Sequence, residues 1–459
     1  MGVDLSRRGP AYLFMIVAAV AVFMDYLDSS IVAIALPEIA ADFAVTSSTS
    51  SWVLISYLLS IGCSLVICGK IADRTGKYKL IFTTGFILFT VASLFCGLAP
   101  SMTILIICRF IQGFAAAFMC ATATSLINLH LPTRIQAIAT GVIATGGGIA
   151  LAAGPGIGGL LTDVLSWHWI FFINVPIGIL GILGALFLIP RDRPVEKPTT
   201  RFDGIGAGLF AVTMVALLTG LDFGAQENWP VYSIILVCIA PIFGAVFIWY
   251  ELRHHDPVLS AQLFKNRTVM FASLSTTCST AAFFGSIFIL PFYFAAIGYS
   301  ALVSGLILLI SPACIALAGI PSGMLSIRYG CRFLCTLGTL IQAIGMGVLI
   351  AGIFSALIPL IIVGLVISGI GSGLNEGPSI RRITIHSPLE LQGSSGGLVF
   401  TCMNVGCVLG VALFSVVAAA ASGSPDYTIF GITISCILGA LFALIACVTS
   451  QAARDTIKS

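Results

Sequence analysis

Charge is scarce in this chain. Lys, Arg, Asp and Glu make up only 8% of its 459 residues, against roughly a quarter in soluble domains. That excludes a sizeable soluble domain. Cys-x-x-Cys pairs and Cys/His clusters of metal spacing are missing, so no metal site is expected. The 14 cysteines stand mostly alone in apolar runs, as at Cys63, Cys68, Cys108 and Cys120, and read as small buried hydrophobes. No nucleophile–base cluster and no phosphate-cradling loop is present, which argues against an enzyme, a cofactor, ATP-driven pumping and a nucleic-acid partner. The first apolar run is too long for a signal peptide, and no small-residue cleavage site follows it, so it is expected to stay as a span.

What remains is 58% hydrophobic. Apolar runs of spanning length recur at 11–36, 51–68, 80–98, 102–128, 135–161, 169–189, 204–221, 231–250, 269–295, 301–325, 333–352, 356–377, 394–420 and 427–449. In lipid each helix satisfies its own backbone, so the expected fold is an all-α integral membrane protein with fourteen transmembrane helices. The connecting Lys and Arg fall on one side: Arg7, Arg8, Lys70, Arg74, Lys77, Lys79, Arg134, Arg191, Arg193, Lys197, Arg201, Arg253, Lys265, Arg267, Arg328, Arg332, Arg381, Arg382, Arg454 and Lys458. The other side holds Glu38, Asp42, Asp163, Asp222, Glu227 and Asp426. The positive-inside rule then makes both termini cytoplasmic in a multi-pass plasma or inner membrane protein.

A few charges fall inside the spans. Asp25 and Asp28 are three apart, hence on one helical face of the first run. A charge at the bilayer centre costs about 2.5–3.5 kcal/mol on insertion scales, and its default explanation is a substrate or proton pathway. The alternative is a paired structural carboxylate. Arg109, in the fourth run, lies at a matching depth, roughly 10–12 Å below the outer surface at 1.5 Å per residue. It can therefore pair with Asp28 or Asp25, and such a group would titrate as one unit. Asp25, Asp28 and Arg109 are accordingly the candidates for a substrate or proton pathway. Candidate substrate contacts are Asp25, Tyr26, Gln112 and Asn404, with Phe284, Phe288 and Phe292 from an aromatic cluster in the ninth run. For most of those rings, core or lipid packing is the commoner use. Glu376, near the inner end of the twelfth run, is either functional or interfacial, and Asn375 is a further polar candidate.

An internal repeat divides the chain. Gly69–Lys77 recurs weakly as Gly323–Cys331, and Pro132, Gln136 and Gly141 recur as Pro388, Gln392 and Gly397. The expected organisation is a six-helix half at 1–189, a cytoplasmic linker at 190–203, two inserted helices at 204–250, a cytoplasmic loop at 251–268 and a second six-helix half at 269–459.

These motifs resemble the major facilitator superfamily, specifically its drug:proton antiporter branch with fourteen spans. Gly69, Asp73, Arg74, Gly76 and Lys77 resemble the gating loop between spans two and three. Gly146, Gly154, Pro155, Gly158 and Gly159 resemble the span-five antiporter signature, and Leu27–Pro37 the first-span motif. Trp167–Pro176 looks typical of that branch, and Arg109-x-x-Gln112-Gly113 resembles the fourth-span motif linked to proton coupling. The resemblance implies proton-coupled export of lipophilic or cationic drugs and other small molecules by alternating access, by a monomer. The alternatives are a proton-coupled carrier of one dedicated solute or lipid, and a non-transporting membrane sensor. Two departures stand out. Ile327 replaces the acid in the second copy of the loop, and the acid that some relatives carry in span ten is missing, which argues against divalent-cation export.

Physical reasons accompany the motifs. Gly69 and Gly76 permit close approach of helix ends, and Asp73 can meet a basic residue or a helix N-terminus across the bundle. Gly154 and Gly158, four apart, allow backbone-to-backbone packing, and Pro155 removes a helix hydrogen bond.

Overall fold

A computed structural model describes residues 8–45, 47–192, 203–226, 230–251, 253, 263, 266–299, 301–422 and 428–453. Most of the linker 190–203 and of the loop 251–268 lies outside them, as do Arg7, Arg193, Lys197, Arg201, Glu227, Lys265, Asp426, Arg454 and Lys458. Among the described residues the chain is helical and has no strand. The helices are α1 (Arg8–Asp42), α2 (Ser47–Thr75), α3 (Tyr78–Gly97), α4 (Met102–His130), α5 (Thr133–Val164), α6 (Trp169–Phe172), α7 (Asn174–Leu188), α8 (Gly204–Gln226) and α9 (Val231–Glu251). They continue with α10 (Arg267–Ala296), α11 (Ala301–Leu308), α12 (Ile310–Tyr329), α13 (Cys331–Phe354), α14 (Ile358–Ile385), α15 (Gln392–Ser422) and α16 (Ile429–Ala452).

Among the described residues thirteen helical stretches are long and apolar enough to cross a bilayer, with α6–α7 and α11–α12 each counted as one. The run at 204–221 forms α8, whose described apolar stretch, Gly204–Leu217, is too short to be counted as a fourteenth. Local chemistry sets several helix starts. Ser101 accepts from the Ile104 amide, Asn266 from the Thr268 and Val269 amides, and Thr428 from the Gly431 amide, each satisfying donors that a helix leaves unpaired at its N-terminus.

Large apolar side chains such as Leu317, Phe354 and Phe187 face outward. Lipid is as apolar as they are, so burying them gains little, and the helices associate where small residues let backbones approach. At α5 against α12, a Cβ on Gly141 would lie 2.6 Å from the Gly319 carbonyl oxygen, and one on Gly148 2.6 Å from the Ala316 amide. At α13 against α14, Gly338 and Gly371 meet in the same way. Helices α8 and α9 pack on each other, and α8 leans on α2 and α15. Only 17% of the α9 span is buried, against 67% of the α2 span, so α9 is a peripheral, lipid-facing helix.

The repeat is visible in side-chain detail. Gln136 Nε2 donates to the carbonyls of Asn128 (3.0 Å) and Leu131 (2.8 Å), and Gln392 Nε2 donates to those of Thr384 (3.1 Å) and Ser387 (3.2 Å). Gly76 and Gly330 hold matching turns at φ of 65° and 83°, a region that favours glycine. A Cβ on Gly397 would strike the Leu65 carbonyl, just as one on Gly141 would strike that of Gly319.

Candidate functional site

The middle of α1 carries Asp25 and Asp28 among apolar neighbours on adjoining turns. Asp28 is fully buried and completely engaged. Its Oδ2 is ion-paired with Arg109 Nη1 of α4, and its Oδ1 accepts from Asn174 Nδ2 (2.7 Å) and Gln112 Nε2 (3.1 Å). Gln112 closes the cage by accepting from Arg109 Nη1 (2.7 Å) and donating to Ser93 Oγ (2.7 Å). Arg109 Nε donates to the Val53 carbonyl (2.9 Å). Five helices thus surround one carboxylate. A buried pair of this kind is costly to desolvate, and the hydrogen bonds around it offset that cost; Arg109 Nη2 and Asn174 Oδ1 have no partner among the described residues.

Asp25 has different company. Its carboxylate accepts from the Tyr57 hydroxyl (2.5 Å) and the Cys120 thiol (3.6 Å). Among the described residues no Lys or Arg stands within ion-pair distance of it. The two acids are joined indirectly, because the Arg109 guanidinium lies 4.2 Å from the centroid of the Tyr57 ring whose hydroxyl binds Asp25. The contacts therefore run Asp28–Arg109–Tyr57–Asp25. Asp25 retains 8% exposure and Asp28 none.

Beside this chain a cavity of about 40 Å³ opens between α1, α5, α10, α12, α14 and α15. Tyr26, Phe284, Asn375 and Glu376 line it. A space of this size holds a few waters rather than a drug-sized molecule, whose sites span about 300–1,000 Å³. Of the aromatic candidates, Phe284 lines the cavity, while Phe288 and Phe292 do not. Phe288 packs against the core around Ile289 and Phe414, and Phe292 is exposed. Their turns of α10 face other neighbours, which membership of one aromatic cluster does not reveal. Asn404 donates to the Phe400 carbonyl of its own helix (3.2 Å) and lies outside the lining. Gln112 belongs to the Asp28 cage instead, where its amide is used up.

The loop motif forms a clasp. Asp73, near the end of α2, accepts from the Gly393 amide, the Ser394 amide (2.7 Å), the Ser394 hydroxyl (2.5 Å) and the Tyr78 hydroxyl (2.7 Å). It thereby supplies negative charge at the N-terminus of α15, where the helix dipole favours it. Gly69 makes this possible, since a Cβ there would lie 2.1 Å from the Gly393 carbonyl oxygen. Arg74 is half-buried in the last turn of α2, Gly76 makes the turn and Lys77 is exposed.

On α5, Gly154 and Gly158 do permit close packing, and the helix they approach is α1. A Cβ on Gly154 would lie 1.8 Å from Ser30 Oγ, and one on Gly158 3.0 Å from the Ile31 carbonyl oxygen. Pro155 lies inside the helix, Gly146 loosely faces α1 and Gly159 meets open space. The contact of α5 with α12 is made instead by Gly141, Thr145 and Gly148, and Thr145 Oγ1 donates to the Ala316 carbonyl (2.9 Å).

Sequence reasoning did not single out Tyr57, Ser93 and Asn174, and it read Cys120 as a small buried hydrophobe, whereas its thiol donates to Asp25. Asn174 lies in the Trp167–Pro176 motif, where an Asn at the restart of a helix could have drawn notice. Tyr57, Ser93 and Cys120 are ordinary residues in apolar runs, and only the fold turns them toward the acids.

The chain matches the Major Facilitator Superfamily model over residues 18–265 and 272–458. It is 30% identical over 411 residues to riboflavin transporter RibZ of Clostridioides difficile (strain 630), covering 88% of this chain and 87% of that one. It is also 30% identical over 412 residues to multidrug resistance protein Stp of Mycobacterium tuberculosis (strain ATCC 25618 / H37Rv), covering 89% and 76%. The crystal structure of the human organic anion transporter MFSD10 (TETRAN) shares the fold, with a TM-score of 0.70 at 12% identity over 96% of this chain and 100% of that one.

Proposed function

The chain belongs to the major facilitator superfamily and is a multi-pass membrane transporter, not an enzyme; on that premise we propose that it is a proton-coupled antiporter exporting lipophilic or cationic small molecules. The observation that carries this reading is the buried series Asp28–Arg109–Tyr57–Asp25 beside the cavity. Ionisable groups at mid-depth are costly, and proton or substrate movement is their usual use. Similarity to a multidrug resistance protein supports the substrate range.

Asp25 carries the proton. It has hydrogen-bond partners that serve either protonation state: Tyr57 and Cys120 donate to the carboxylate, and their oxygen and sulfur can also accept from the acid. Asp28, by contrast, is ion-paired with Arg109 and acts as a fixed partner beside the carrier. The halves 1–189 and 269–459 rock about the central cavity, with 204–250 as an inserted peripheral pair and both termini cytoplasmic in the plasma membrane. The Asp73 clasp holds one end shut and must open in each cycle. One elementary charge crossing 100 mV supplies about 2.3 kcal/mol, which sustains roughly a fifty-fold gradient of a neutral substrate. For a monovalent cation exchanged against one proton the charges cancel, and only the pH gradient drives export.

Flux in proteoliposomes with separately imposed pH and voltage gradients tests the reading. Wild-type protein should export a lipophilic cation on the pH gradient. Asp25→Asn should keep substrate-for-substrate exchange and lose the pH-driven component; an unchanged pH-driven flux removes Asp25 as the carrier. A second reading, a carrier of one dedicated flat solute, is favoured by the likeness to a riboflavin transporter. Competition by a single ligand class rather than by unrelated cations would select it.

A further inference from the structure

Among the described residues Glu376 is the only charged one lining the central cavity, and the series that ends at Asp25 makes no use of it. Among the described residues no donor or cation lies within hydrogen-bonding or ion-pair distance of its carboxylate. The arginines of its own helix are committed elsewhere. Arg381 reaches Ser326 Oγ (3.5 Å) and Cys331 Sγ (3.4 Å), and Arg382 binds the Ser450 (3.0 Å) and Ala453 carbonyls at the end of α16. Arg109 is taken by Asp28. One turn before Glu376, Ser372 also lines the cavity. It is 7% exposed, and its hydroxyl has no partner among the described residues. The Tyr26 hydroxyl, on the opposite wall, meets only Met403 Sδ at 3.8 Å.

Gly147 of α5 gives the carboxylate its room. A Cβ there would lie 2.8 Å from the Tyr26 ring and 3.8 Å from Glu376 Oε1. The rings of Tyr26, Phe283 and Phe284 add aromatic surface to the same lining, and such faces attract a cation. An unpaired carboxylate in such a place is expensive unless a cation arrives to meet it.

We propose that Glu376 is the counter-ion for the transported molecule, and that the substrate class is organic cations with a flat apolar body, the charge meeting Glu376 and the body lying against Tyr26, Phe283 and Phe284 once the cavity widens from its present volume of about 40 Å³. This rests on the export reading above and names the substrate of its central site. Asp25, the proton carrier, and Glu376, the cation site, are then separate groups on α1 and α14, with Tyr26 beside the first in sequence and sharing the cavity lining with the second.

The test is binding of ethidium to the purified full chain in detergent, read by fluorescence anisotropy. Glu376→Gln should weaken it by about 10- to 100-fold, the loss of one charge-assisted contact. Glu376→Asp should recover most of that loss. Absence of ethidium binding to wild-type protein, or equal affinity in Glu376→Gln, overturns the proposal. A second measurement needs no variant. N,N′-dicyclohexylcarbodiimide should modify Glu376 in wild-type protein, and saturating ethidium should protect it; no modification, or no protection, overturns the assignment. Because binding needs no gradient, the two ideas fail separately. Ethidium held by Glu376 without pH-driven flux sinks antiport and leaves the counter-ion. PH-driven flux with ethidium affinity unchanged in Glu376→Gln sinks the counter-ion and leaves antiport.

Discussion

Replacing Asp28 with Asn should destabilise the protein far more than the same change at Asp25. In the first variant Arg109 keeps its charge, its zero exposure and its donors, and loses the one anion that compensates it. Removing one partner of a buried pair costs about 3–5 kcal/mol. The Asn side chain also turns an amide toward Gln112 and Asn174, which already donate to that position. At Asp25 an Asn oxygen can still accept from Tyr57, and no buried cation is stranded, so the cost is about 0.5–1.5 kcal/mol. The difference, about 1.5–4.5 kcal/mol, is worth a factor of about ten to about two thousand in the folded-to-unfolded ratio. The buried thiols of Cys68, Cys96, Cys120 and Cys436 provide the assay, since a thiol-reactive fluorophore reports their exposure as the protein unfolds on heating. The Asp28→Asn midpoint should fall well below that of Asp25→Asn. Adding Arg109→Gln to Asp28→Asn should restore part of the loss, because the stranded charge is gone. Equal midpoints for the two single variants, or a double variant worse than the sum of its parts, would refute the assignment of Asp28 as a fixed partner and Asp25 as a free carrier.

Other outcomes follow from the same geometry. Asp73→Ala removes an acceptor of four hydrogen bonds at the start of α15 and should open the clasp; spin labels on the ends of α2 and α15 should report longer, broader distances, and an unchanged distribution counts against it. Gly141→Ala drives a Cβ to 2.6 Å from the Gly319 carbonyl, so the variant should be inserted normally and lose export. Gly158→Leu should do the same by wedging α5 from α1, whereas Gly159→Ala, with nothing within 4 Å, should transport like wild type. A silent Gly158→Leu would remove the close approach from the mechanism.

The legible part of the site was the part written in rare residues. Asp25, Asp28 and Arg109 stand out because a charge in an apolar run is costly, and helical rise was enough to put Arg109 and Asp28 at one depth. Asp73 and Gly69 stood out because a tight turn between helices restricts the residues it accepts. The repeat was readable from pairs such as Gln136 and Gln392, whose side chains close the same turn twice. Phe288, Phe292 and Asn404 went elsewhere because helical rotation, which membership of a cluster does not encode, selects the face.

Sequence alone determined that this chain lives in a bilayer, spans it repeatedly, and carries acids and one arginine at mid-depth. Length, hydropathy and the cost of buried charge act along the chain and need no third dimension. Tertiary structure decided which acid is ion-paired and which is held by hydrogen bonds alone, that Gly154 and Gly158 serve α1 while Gly141 serves α12, and that Glu376 faces a cavity with no partner among the described residues. Those outcomes depend on which helix faces stand opposite each other, and in lipid that is set by small-residue contacts between distant segments rather than by any local pattern.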